Sequence, residues 1–174
     1  MTGRRRHRSR GQRAPDAQPL DARRSRLAAA DLLSRRPLTT ADLRRRLVRR
    51  GAPEDVAQAV VADLAARGYV DDAAFARHWV ETRSARGYGA GRLRAELRAH
   101  GVPAALIDGA LASLTTDAAL GRAREAARRR LPALARGRPD RLAARLHDHL
   151  ARRGFPAPVI ARVLREVAAT GAPD

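Results

Sequence analysis

The sequence contains no cysteine and no lysine, and only five of its 174 residues are aromatic. Without cysteine there is no disulfide framework, no thiolate metal site and no thiol nucleophile. Without lysine a Gly-x-x-x-x-Gly-Lys loop cannot be written, which excludes a Walker A ATPase. Apolar runs fall well short of the ~20 residues that span a bilayer. The basic opening, Arg4-Arg5-Arg6-His7-Arg8-Ser9-Arg10, is not followed by the apolar stretch of a secretory signal. The expectation is a soluble cytoplasmic protein that no membrane holds. With aromatics at 3%, the core must be built from Ala, Leu and Val, which favours closely packed helices over strands.

What the sequence has in quantity is arginine. It supplies all 36 basic residues against 18 acidic ones, a formal net charge of +18. A GC-rich gene would account for Arg over Lys, but not for the net charge. The resulting positive field suits nucleic acid, an acidic protein surface or an anionic membrane. Nucleic acid, or a protein assembled on it, is the first expectation.

Four of the five aromatics (Tyr69, Phe75, Trp79, Tyr88) fall at the start of the stretch 69–101. The stretch reads as a helix, a glycine-rich turn and a strongly basic second helix. Asp71 or Asp72 can cap the first helix, where a carboxylate accepts from free backbone N–H groups. Phe75 and Trp79 stand four apart and share a face, so both are expected in the core with Leu93 and Leu97.

The chain also repeats itself. Leu43, Leu47, Gly51, Pro53, Val56, Val60 and Leu64 return as Leu93, Leu97, Gly101, Pro103, Leu106, Ala110 and Leu114. They return again as Leu146, Leu150, Gly154, Pro156, Val159, Val163 and Val167, the offsets being 50 and 53 residues. Two Leu four apart mark a buried helical stripe, and the following Gly suits the left-handed residue that ends the helix. The Pro fits the first turn of the next helix, and Ala52, Val102 or Phe155 between them can staple into the core. Thr39 and Asp42 resemble a capping box ahead of the first copy. Each pair is preceded by a further helical segment, at about 23–35, 71–86 and 116–130. The fold expected is all-α: three tandem three-helix repeats in an elongated, curved array. The divisions are a disordered basic arm at 1–22, repeats at 23–68 and 69–115, and a third at 116–170. A ~50-residue three-helix unit is marginal alone, so each should lean on its neighbour.

The helix–turn–helix pattern invites a DNA-reading hypothesis, but the second helices of the first two pairs, 53–66 and 103–114, contain no Arg. Sequence-specific readout is disfavoured. Arg83, Arg86, Arg92, Arg94 and Arg98 flank the Gly87-Tyr88-Gly89 turn and form either a partner- or DNA-binding ridge or a solvated face. Tyr88 is either a packed anchor of that turn or an exposed contact. Gly51, Gly101 and Gly154, with Gly87 and Gly89, are structural turn residues. Gly87-x-Gly89-x-Gly91 has no strand before it and is a weak nucleotide loop. His147 and His149, two apart on a helix, point away from each other and cannot share a metal. No catalytic, metal or cofactor site is legible, and an enzyme is not expected.

Asp71-Asp72-x-x-Phe75-Ala76, then Arg83-x-x-Arg86-Gly87-Tyr88-Gly89-x-x-Arg92-Leu93-x-x-Glu96-Leu97 and Gly101-Val102, resemble the signature of the RecX family, bacterial regulators of the RecA recombinase. The match is best over about 69–102, and the repeat layout extends it over roughly 25–168. The resemblance implies three tandem three-helix repeats, in agreement with the periodicity. It implies a protein, monomeric on this reading, that binds along the groove of the RecA–DNA filament. There it reduces strand exchange, ATP hydrolysis and coprotease activity. On that reading the Arg ridge from Arg83 to Arg98 meets filament or DNA phosphate, and Glu96 pairs with a neighbouring Arg or touches the partner. His100 stands where the family usually has a basic residue. The alternative is a stand-alone, non-specific DNA-binding protein driven by the arm and exposed Arg residues.

Overall fold

A computed structural model describes residues 19–136 and 138–170. Among them the elements are α1 (Ala22–Arg35), α2 (Thr40–Arg49), α3 (Glu54–Ala66), α4 (Asp72–Ala85), α5 (Ala90–Ala99), α6 (Ala104–Leu111), α7 (Thr116–Ala135), α8 (Leu142–Arg152) and α9 (Ala157–Thr170). A 3-10 turn at Pro139–Arg141 leads into α8. No strand occurs among the described residues. Of the expected basic arm, residues 1–18 lie outside the described residues. Its end is already ordered structure: Asp21 caps α1 by accepting from the Arg24 amide at 2.7 Å, and the helix begins at Ala22.

Extensive packing joins helices only within the successive triplets α1–α3, α4–α6 and α7–α9. Each triplet has its own core. Leu43 and Leu47, Leu93 and Leu97, and Leu146 and Leu150 are the six equivalent leucines, and all are 0% exposed. Such a side chain is worth about 1.5–3 kcal/mol when fully buried. The stripe read from the sequence is therefore the core of each unit, three times over. In α1 Ser25, Ala29 and Leu32 face inward, while Leu27 points to solvent. The third helix of the second triplet is also short. It ends at Leu111, because Thr115 starts α7 by accepting from the Ala118 amide, although Leu114 still packs against the core.

The glycine turns are built alike. Gly51, Gly101 and Gly154 have φ of 96°, 78° and 82°. Their amides donate to Val48, Arg98 and Ala151, and the next residue's amide reaches back to Leu47, Leu97 and Leu150. This double bond pattern is a Schellman end, which needs the left-handed residue. Ala52, Val102 and Phe155 follow and are buried, as a staple requires. Proline sits one residue earlier than the first-turn position: Pro53 and Pro103 are N-caps, with carbonyls accepting from Ala57 and Ile107.

The triplets are joined by one interface used twice. At the first joint the Thr39 hydroxyl donates to the His100 carbonyl at 2.6 Å while accepting from the Asp42 amide. At the second, the Gly89 amide donates to the Arg153 carbonyl at 2.7 Å and the Gly91 amide to the Gly154 carbonyl at 3.0 Å. Thr39 and Gly89 are equivalent N-caps, and His100 and Arg153 are equivalent C-caps. The end of one middle helix thus plugs into the start of the preceding one. At the first triplet, which has no predecessor among the described residues, the Leu20 amide donates to the Gly51 carbonyl. Asp72 adds to the first joint, accepting from the Thr40 amide and hydroxyl at 2.8 and 2.7 Å.

Candidate partner-binding face

The aromatic and arginine residues converge where α4, its glycine turn and α5 meet. Asp71, not Asp72, caps α4 by accepting from the Ala74 amide at 2.8 Å, which frees Asp72 for the joint. At the other end Gly87, with φ of 80°, turns the chain so that Tyr88 lies back over α4. Tyr88 is half-buried, and three guanidiniums lie against its ring: Arg92 at 4.4 Å, Arg83 at 4.5 Å and Arg153 at 5.4 Å from the ring centre. The ring quadrupole attracts each of them. Tyr88 is a packed anchor on which cations from two triplets meet.

Glu96 is the centre of this arrangement. It accepts from Arg83 through a two-pronged pair at 3.0 and 2.6 Å, from Arg92 at 2.9 Å and from the Trp79 indole at 3.0 Å. Burial alone would raise its pKa, but hydrogen bonds from Arg83, Arg92 and Trp79 outweigh it and bring the carboxyl down to about 2. Glu96 therefore pairs internally rather than projecting toward a partner.

The five ridge arginines divide accordingly. Arg83 and Arg92 are held by Glu96 and Tyr88. Arg94 bonds to Asp108. Arg86 is exposed, and Arg86 and Arg98 have no carboxylate partner among the described residues. The ridge presents two unengaged guanidiniums, one paired at the surface and two that build the turn.

Phe75 and Trp79 pack against the core of the second triplet, as expected, but at its rim. They are partly buried and stack on each other at 5.5 Å, with His100 edge-on to both at 5.4 and 4.6 Å. With the exposed Tyr69 and Arg86 they line a cleft of about 740 Å³ between the first two triplets. Their four-residue spacing gave the shared face correctly, but that face meets a joint. His100 also bonds to Asp42 through Nδ1 at 2.7 Å. Burial would raise the Asp42 pKa, yet bonds from His100 and Arg45 hold it below the usual carboxylate range.

One residue of this face is absent from the expected ridge: Arg153, whose Nη1 donates to the carbonyls of Arg86 and Gly87 at 3.2 and 3.1 Å. Its signal was the repeat itself. Arg50, His100 and Arg153 each precede the turn glycine. His100 and Arg153 reach across to the previous triplet, whereas Arg50 turns to Asp31 in its own. No group of three or more His, Cys, Asp or Glu side chains among the described residues could hold a metal. No helix among them is long and apolar enough to cross a membrane.

Comparison with known proteins agrees with this architecture. Residues 26–64 match the family model for the first three-helix domain of RecX, and residues 71–111 that for the second. The regulatory protein RecX of Thermobifida fusca is 41% identical over 145 residues, covering 82% of this chain and 78% of the relative. That of Mycobacterium ulcerans is 40% identical over 150 residues, covering 85% and 87%. Among solved structures, RecX from Lactobacillus salivarius superposes with a TM-score of 0.75 at 17% identity, covering 86% of this chain and 97% of that one. A crystal structure of a regulatory protein RecX gives 0.75 at 23%, covering 82% and 70%. These likenesses show the fold. Sequence and fold together place this chain in the RecX family of regulatory proteins.

Proposed function

We propose that the protein binds the filament that a RecA recombinase forms on DNA and mainly inhibits that recombinase, including its ATP hydrolysis and coprotease activities. Membership of the RecX family carries this reading, and the charge of the molecule supports it. Triplets joined by one repeated interface can lay several weak patches along a helical groove, where linked contacts gain by avidity. Arg86, Arg94 and Arg98 are the contacts proposed on the ridge, with Arg83 and Arg92 holding the turn that presents them. The protein is not assigned a reaction of its own.

The test is co-sedimentation with preformed RecA filaments on single-stranded DNA, set against the same DNA without RecA. Capture by filaments that persists at a salt concentration abolishing binding to bare DNA supports the proposal. Equal capture by both, falling steeply with salt, would instead favour a stand-alone DNA binder, to which the net charge of +18 also lends itself.

A further inference from the structure

The two joints between triplets are built alike but charged differently. At the first, the residue before the turn glycine, His100, meets the carboxylate of Asp42. At the second, the equivalent positions hold Arg92 and Arg153, both against the Tyr88 ring; Arg92 is paired with Glu96, while Arg153 has no carboxylate partner among the described residues. Beside this second joint lies a cavity of about 370 Å³ lined by Arg86, Arg122, Arg129, Arg130, Arg153 and His149. Its lining has one carboxylate, Glu125, and that group is already engaged by Arg128 and Arg129 at 2.7 Å each.

The remaining cations lack acidic partners among the described residues. Arg153 is fixed by the carbonyls of Arg86 and Gly87, which orient it without cancelling its charge. Arg122 Nε is buried, and no protein acceptor reaches it. An unmet buried donor costs about 1–3 kcal/mol, more when charged. Burial lowers the Arg122 pKa. Burial also lowers that of His149, and Arg153, Arg130 and Arg152 push it further the same way. The arginines around His149 and the missing acidic partners of Arg130 and Arg153 report a positive potential at this joint, and buried Arg122 leaves a guanidinium donor unmet beside it.

We propose that this basin seats backbone phosphates of a nucleic-acid strand, with Arg122 and Arg130 donating to phosphate oxygens and Arg153 held as a further donor. Guanidinium forks match phosphate geometry, and bonds to an anion are the strong kind that offset such a cluster. The proposal deepens the filament reading by naming the DNA backbone as the partner of this face, and it rests on that reading only for where the strand is met.

The experiment uses the full chain and a fluorescent single-stranded oligonucleotide, with anisotropy titrations at several salt concentrations and no RecA. Arg122→Gln with Arg130→Gln is expected to weaken binding about tenfold near 0.15 M salt and to flatten the salt slope by about one to two. The exposed pair Arg141→Gln with Arg145→Gln, outside the basin, is the control and should change affinity less than about threefold. Should the glutamine pair melt early, Arg122→Lys with Arg130→Lys decides. The lysines keep charge but lose the fork, so a loss of about threefold with an unchanged slope is expected. Affinity within about twofold of wild type for whichever pair folds would overturn the site, as would an equal loss in the control. Inorganic pyrophosphate bound more tightly than the oligonucleotide would also overturn it, in favour of a free phosphate ligand. Filament co-sedimentation of the same variants separates the two proposals. Intact DNA binding by the glutamine pair with filament capture retained would sink only the basin. Weakened DNA binding with no filament capture even by wild type would sink only the filament reading.

Discussion

Gly51, Gly101 and Gly154 occupy equivalent turns, so replacing each by alanine separates backbone strain from the cost of spoiling a joint. All three have positive φ, where an alanine Cβ costs roughly 1–2 kcal/mol. At Gly51 an added Cβ meets nothing within 4 Å, so that is the whole penalty. At Gly154 it would lie 2.6 Å from Arg92 Cβ and 2.9 Å from Arg92 Cα, and closer still to the Arg92 amide nitrogen. Backbone cannot swing aside as a flexible side chain can. The second and third triplets must shift apart, at about 1–3 kcal/mol for overpacking. At Gly101 the added Cβ would collide with Ala41 Cβ across the first joint. The expected totals are therefore about 1–2 kcal/mol for Gly51→Ala and about 2–5 kcal/mol for the other two. Amide hydrogen exchange locates the loss. Gly89 and Gly91 donate across the second joint, at 2.7 and 3.0 Å. In Gly154→Ala their protection should fall by about 5- to 150-fold more than in Gly51→Ala, the ratio that 1–3 kcal/mol corresponds to. Equal destabilisation by Gly51→Ala and Gly154→Ala, with Gly89 protection unchanged, would refute the repeated-joint account.

Three other outcomes follow from the same geometry. Glu96 has a folded pKa of about 2 against an ordinary 4.5, so its stabilising contribution is complete above about pH 4.5 and is lost as the pH falls toward 2. Spread over that interval it amounts to about 3 kcal/mol, and Glu96→Gln should reduce the acid dependence in urea melts between pH 5 and 2, leaving the part that Asp42 and the other paired carboxylates contribute. Thr39→Ala deletes both an N-cap and a bond to the His100 carbonyl, and should cost about 1–3 kcal/mol with the greatest loss of exchange protection at α2 and the first joint. Arg98→Glu reverses an unengaged charge on α5. It should weaken RecA inhibition at least several-fold with little change in melting temperature, and unchanged inhibition would remove Arg98 from the contact set.

Much of the fold could be read from residue spacing. Leu–Leu–Gly–Pro at fixed intervals specifies helix, left-handed turn and helix through local physics, and the six equivalent leucines are indeed the fully buried ones. The triplet was legible because periodicity survives divergence of everything between. Errors arose where a partner distant in sequence decided the outcome. Phe75 and Trp79 were placed on the right face, but nothing in their spacing says that His100 from the end of α5 lies against that face. The Arg ridge shows the same limit more sharply. Arg83, Arg92 and Arg98 look alike as a basic stripe, and only the tertiary position of Glu96 separates the two that hold the turn from the one left unengaged. The charge contrast between the joints was invisible for a different reason. It depends on aligning Asp42 with Arg92 and His100 with Arg153, and on knowing that each pair faces across an interface.

The central claim is regulation of a RecA filament, and the most direct measurement is ATP hydrolysis by the cognate RecA on single-stranded DNA, titrated with this protein while DNA stays in excess. Inhibition well below one protein per RecA is the result the account requires, because a filament-bound regulator acts on many subunits at once. Activity that holds until the DNA is saturated would contradict it, since competition for phosphates alone would then explain the effect.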